Sequence, residues 1–150
     1  GSGVEEVFII HDAAAKEVPE EEFYTTRESG GTRISTGLKT AKSIIEDRYP
    51  PANNNVYVFY FGDGDNWEGD EKESHELLQG LAEFSNALGY IQVKTQSGSG
   101  KFIKEVTELF GEEHNIVRIS ELDEDEEDEE SGEKYREMVR TMLEDRGGEK

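Results

Sequence analysis

Residues 56–67 read Val-Tyr-Val-Phe-Tyr-Phe-Gly-Asp-Gly-Asp-Asn-Trp, and this stretch decides the fold. Val56 to Phe61 are all β-branched or aromatic and apolar on both faces, the pattern of a central strand covered above and below. The strand then delivers Gly62, Asp63, Gly64 and Asp65 just past its carboxyl end, where open α/β sheets bind ligands. Upstream, Asn53-Asn54-Asn55 is turn chemistry and Pro50-Pro51 a helix stop. Before them Leu38, Ala41, Ile44 and Ile45 recur at helical spacing, which predicts an amphipathic helix from Ser35 to Tyr49 with Ser35 or Thr36 as N-cap. Val4 to His11 ends in an apolar run that reads as a buried strand, and Asp12 to Gly31 reads as a polar connection.

Downstream, Leu77, Leu78, Leu81, Phe84 and Leu88 predict a helix over Glu73 to Leu88, closed by Gly89. Tyr90 to Thr95 reads as a strand, Phe102 to Phe110 as a helix closed by Gly111, and Asn115 to Ile119 as a further strand. The alternation βαβαβαβ predicts an α/β fold, a mostly parallel sheet with helices on both faces and right-handed crossovers. No internal repeat interrupts it.

The chain has 150 residues, the usual size of one domain. Its 36 acidic and 16 basic residues give a net charge of −20, which excludes nucleic-acid binding by general phosphate attraction and a basic membrane-surface helix. Nine of the acids fall in Glu121 to Glu130, a solvated linker by composition, with binding of a basic partner as the other reading. The remaining 27 still outnumber the bases, a balance that would suit a salt-rich cytosol. Cysteine is absent, so disulfides, thiolate chemistry and Cys-ligated zinc are excluded, and a reducing cytoplasm is the expected compartment. No apolar run is long enough to span a membrane. Gly1 to Gly3 read as a cloning scar, 4–120 as the α/β domain and 121–133 as the acidic linker. Residues 134–150 read as a last helix, carried by Tyr135, Met138, Val139, Met142 and Leu143, with a polar tail.

Clustered carboxylates at a strand end are costly without a cation, so Mg²⁺ or Mn²⁺ is the natural partner of the Asp63 loop. The plainer reading is a Gly/Asp turn whose acids face water or cap the next helix. An EF-hand needs Asp or Asn where Trp67 stands and Gly where Glu68 stands, and is rejected. A haloacid-dehalogenase-type phosphatase shows GDGxND after an apolar strand, which Gly62 to Asn66 resembles, but Trp67 occupies its last Asp and the upstream DxDx(T/V) nucleophile motif is missing. A von Willebrand factor A domain has an apolar strand ending in (T/S)DG. A second cluster bears on the choice: Glu28-Ser29-Gly30-Gly31-Thr32-Arg33-Ile34-Ser35 puts a hydroxyl on a glycine loop at a helix N-terminus, 31 residues before Asp63.

The blocks FIIHDAAAKEV (8–18), EEEFYTTRESGGTRIS (20–35), EDRYPP (46–51) and FGDGDNW (61–67) together resemble the YeaH/YhbH family of cytoplasmic, stress- and sporulation-associated proteins with an A-type domain. The resemblance covers Val4 to Ile119, and the HDAAA version looks most like archaeal members. It implies an A-like, Rossmann-like fold lacking its first strand. Thr32 and Asp63 would be ligands of a metal-ion-dependent adhesion site, with Ser29 and Asp65 behind them and Trp67 touching the partner. The family's first metal loop, DxSxS, would lie upstream of Val4; the nearest imitation, Asp12-Ala13-Ala14-Ala15-Lys16, lacks both hydroxyls. Weak Mg²⁺ or Mn²⁺ binding follows, as does an open ladder edge on Val4–His11 and Val56–Phe61 that invites a homodimer or a rearranged strand order. The resemblance also implies protein partners, among them a PrkA-type serine kinase and a SpoVR-like protein. The expected function is a non-enzymatic metal-dependent interaction module; the alternative is a Mg²⁺-dependent phosphohydrolase using Asp63 and Asp65.

Other features carry less. Gly98-Ser99-Gly100-Lys101 hints at a phosphate loop, but Thr95 and Phe102 stand where a first glycine and a Ser/Thr belong. His11 reads as a hydrogen-bonded strand-end residue, and His75 and His114 have no second ligand in pattern. Read without the resemblance, Trp67 is core cover first and a partner contact second.

Overall fold

The computed structural model describes residues 5–11, 14–25, 33–62, 66–94, 101–111, 117–123, 136, 137 and 139–141. Two strands, β1 (Phe8–His11) and β2 (Ala15–Val18), form an antiparallel hairpin in which Phe8 faces Val18 and His11 faces Ala15. Helix α1 (Glu20–Thr25) follows at once. After α2 (Ile34–Arg48) come β3 (Tyr57–Gly62), α3 (Glu71–Phe84), β4 (Ala87–Lys94), α4 (Lys101–Phe110) and β5 (Val117–Asp123). The last three strands form a parallel sheet in the order β3-β4-β5. The fold is therefore mixed α/β.

The parallel sheet is the expected one, built by helical crossovers between strands that are apolar on both faces. The first strand is a correction: β1 lies outside that sheet and runs antiparallel to β2. The stretch read as a polar connection holds β2 and α1 instead. Lys16 and Glu17 are exposed and Val18 alone is fully buried, so β2 offers little of the alternation that marks a strand. A second correction concerns Leu88 and Gly89, read as helix end and cap. Helix α3 stops at Ser85, whose N–H donates to the Leu81 carbonyl, and Leu88 and Gly89 are interior to β4, opposite Val58 and Phe59. Gly111 does close α4: it sits at φ 83° and its N–H donates to the Thr107 carbonyl at 2.8 Å.

Alternation along the strands separates the two faces of the sheet. Val58 and Tyr60, Leu88 and Tyr90, and Val117 and Ile119 point to one side and join a core with Ile34, Leu38 and Ile45 of α2, Leu78 and Leu81 of α3, and Phe102 and Val106 of α4. Helices α2, α3 and α4 thus all lie on this one face of the sheet. The opposite face carries Tyr57, Phe59 and Phe61 of β3 and Ala87 and Ile91 of β4, and none of these belongs to that core.

Candidate functional site

Residues 66–70 and the start of α2 form one built unit. Helix α2 begins at Ile34, so Ser35 and Thr36 are inside it and cap nothing; Arg33 takes the N-cap position and offers no side-chain oxygen. The orphan amides of the first turn are met from another part of the chain. Asn66 Oδ1 accepts the Ile34 N–H at 2.9 Å, and Asp70 Oδ2 accepts the Ser35 N–H at 2.9 Å. Asp70 Oδ1 also accepts the Ser35 hydroxyl at 2.6 Å and lies 3.4 Å from Arg33 Nε.

Asp70 occupies the N-cap position of its own helix, α3, yet its side chain makes no cap there and serves α2. It is 4% exposed. Burial works to raise its carboxyl, but the hydrogen bonds from the Ser35 hydroxyl and the Ser35 amide, with Asn66 and Arg33 beside them, prevail, and the group is held below the usual carboxylate range. Its charge also sits at the positive end of the α2 dipole. The turn between Asn66 and Asp70 is closed by Asp70 N–H donating to the Trp67 carbonyl, with Gly69 at φ 92°. At the start of α3 the Glu71 carboxyl is likewise lowered, by its own backbone amide first and by Lys101 and Gly69.

Trp67 is 43% exposed, which removes it from the core, and the Arg33 guanidinium lies 5.5 Å from its ring centroid. The pair forms a cation–π contact on the surface, an arrangement common in protein-binding sites. Thr32, Ser29, Asp63 and Asp65 lie outside the described residues. Their flanks do not: Arg33 and Ile34 follow Thr32, Gly62 precedes Asp63, and Asn66 follows Asp65. The Asn66–Ile34 bond therefore joins the residue that follows Asp65 to the helix start that follows Thr32. Sequence reasoning missed Asp70; a carboxylate three residues beyond an exposed Trp, just before an apolar helical stripe, reads as a cap for its own helix.

His11 and His75 are placed apart from this unit. His11, at the end of β1, lies with its ring centroid 5.2 Å from that of Tyr60 and against Gly37, where a Cβ would meet His11 Cδ2 at 2.8 Å. His75 Nε2 is 2.9 Å from Glu105 Oε1, joining α3 to α4. His114, Gly98 and Gly100 lie outside the described residues. Among the described residues no group of three metal-ligating side chains forms, and no helix is long and apolar enough to cross a membrane.

The model of the family described as "Protein of unknown function (DUF444)" matches residues 2–128. A UPF0229 protein of Ruminiclostridium cellulolyticum is 46% identical over 92 residues, 61% of this chain and 23% of that protein. One of Clostridium botulinum is 41% identical over 105 residues, 67% of this chain and 27% of its own. One of Legionella pneumophila is 53% identical over 76 residues, 51% and 18% of the respective lengths. The chain thus spans about a quarter of the curated relatives it matches, and these relatives are bacterial. No solved structure matches it.

Proposed function

The chain belongs to the DUF444 family, and from that premise, together with the Asn66–Ile34 bond, we propose that it is a non-enzymatic, metal-dependent protein-interaction module of the A-type, YeaH/YhbH-like kind. One observation carries the reading. Asn66 and Asp70 give two acceptors to the first turn of α2, which brings the residues just after Asp65 beside those just after Thr32. Thr32 and Asp63 would supply a hydroxyl and a carboxylate, hard oxygen donors suited to Mg²⁺ or Mn²⁺, with Ser29 and Asp65 behind them. Asn66 and Asp70 are engaged as helix caps and are not ligands in this reading. No DxSxS stretch occurs in the sequence, so the donor set is small and the affinity weak.

The metal would leave a position for a partner's carboxylate, and Trp67 with Arg33 would flank that contact. Cytoplasmic partners of the kind the resemblance implies, a PrkA-type serine kinase or a SpoVR-like protein, are proposed on that basis. So is a homodimer joined through the open edges of β1 and β3, which pair with β2 and β4 respectively and with no other described strand.

Calorimetric titration with Mg²⁺ and Mn²⁺ tests the site. The expected result is millimolar binding that disappears in Asp63→Ala and in Thr32→Ala; micromolar binding, or binding indifferent to both changes, overturns it. Turnover of a generic phosphomonoester that is lost in Asp63→Asn would turn the reading to a phosphohydrolase. Sedimentation velocity with and without Mg²⁺ tests the dimer.

A further inference from the structure

We propose that the helical residues 136, 137 and 139–141 cover the second face of the parallel sheet, over Phe59, Phe61 and Ile91, with Val139 turned toward it. Helices α2, α3 and α4 all pack against the face that carries Tyr60 and Tyr90, so none of them shields the other side. Yet Ile91, which alternates with Tyr90 and points to that other side, is 0% exposed, and Ala87 is 3% exposed. Something covers them.

The hairpin shows which segment is on that side. In β1, His11 faces α2, where it meets Gly37, and it also meets Tyr60 on the helix-bearing face of the sheet. Phe8 alternates oppositely to His11 and stacks on Phe23 of α1 at 5.2 Å between centroids. Helix α1 therefore lies across the hairpin from α2, on the side to which Phe59, Phe61 and Ile91 point. Arg136 Nη2 donates to Glu20 Oε2 at 2.7 Å, at the first residue of α1. This bond brings the helical residues 136, 137 and 139–141 to the same side, and Val139 is half-buried there while its neighbours Glu137, Arg140 and Thr141 are exposed. Among the described residues of this stretch an apolar side chain is turned inward and polar ones outward, as in a helix lying flat on an apolar surface. The bond to Glu20 joins two half-exposed side chains and is worth little by itself, so burial of apolar area must hold the cover in place.

The absence of cysteine makes the test clean. The full chain carrying Phe59→Cys and Val139→Cys is treated, at high dilution, with a short bismaleimide and weighed intact. The expected product is a monomer bearing one bridging linker. A reference chain carrying Lys39→Cys and Glu73→Cys, an ion pair between α2 and α3, reports that the helix-bearing face is folded. Bridging in the reference but not between positions 59 and 139 overturns the proposal. In a second measurement, Val139→Asp is expected to raise binding of an apolar fluorescent dye several-fold with the far-ultraviolet circular dichroism kept; unchanged dye binding overturns it as well.

Discussion

Replacing Asp70 by alanine probes the unit on which the candidate site is built. The side chain accepts from the Ser35 amide and the Ser35 hydroxyl and lies beside Arg33, and it is almost wholly buried. Alanine would strand two buried donors, each costing about 1–3 kcal/mol, and would remove a helix cap worth about 1 kcal/mol. These costs overlap, since the Ser35 amide is counted in both and the hydroxyl can rotate, so a net loss of about 3 kcal/mol is expected. At about 2 cal/mol/K per residue, unfolding of 150 residues has an entropy of about 0.3 kcal/mol/K, which places the drop in midpoint near 10 °C. Urea unfolding followed by the fluorescence of Trp67 measures the free energy, and calorimetry the midpoint. Asp70→Asn, which keeps one acceptor oxygen but adds a donor facing donors, should fall between the two. Adding Ser35→Ala to Asp70→Ala should cost much less than the two changes summed, because the stranded hydroxyl is gone. A loss below about 0.5 kcal/mol for Asp70→Ala, the size of an ordinary surface change, would refute the reasoning.

Gly37→Ala should destabilise by about 1–2 kcal/mol despite the better helix propensity of alanine, because the new Cβ would meet His11 Cδ2 at 2.8 Å and His11 is held against Tyr60; with His11→Ala present, the same change should instead stabilise, and denaturant midpoints compare the two. Acid should weaken the fold through Asp70: its carboxyl is lowered in the folded chain, so its contribution is full above the unfolded value of about 4 and is lost as pH falls through the folded one, and urea midpoints of Asp70→Asn should be flatter over that range. Leu81→Ala, at a side chain 0% exposed between α3 and the sheet, should cost about 2–5 kcal/mol and lower the urea midpoint accordingly.

How far the sequence could be read depended on how local each signal was. Strand β3 was legible because Val56 to Phe61 are uniformly β-branched or aromatic, and helix α4 because Phe102 to Phe110 runs up to Gly111. Leu88 misled because it continues the spacing of Leu77, Leu81 and Phe84, while the tertiary environment of β4 between β3 and β5 claims it. The hairpin was hidden by β2, whose Lys16 and Glu17 carry no strand pattern, so its pairing with β1 shows only in three dimensions. At the candidate site the two loops were legible as candidates, their pairing only through the family resemblance. The residues that join their flanks were not, since Asn66 and Asp70 act on amides 32 and 35 residues away, and backbone donors leave no trace in side-chain chemistry.

The borrowed cap on α2 has a kinetic meaning. A helix that supplies its own N-cap can nucleate its first turn in isolation, but α2 receives its acceptors only after β3 has been laid down and the 66–70 turn has closed. Its last turns are free to form early, while its beginning waits for a long-range contact and bears that loop-closure cost. In the native protein the dependence runs the other way: any opening that frees Asn66 and Asp70 also frays Ile34 and Ser35. Amide exchange at these helix positions should therefore keep pace with exchange in the 66–70 turn, so that the two flanks of the candidate site open and close as one.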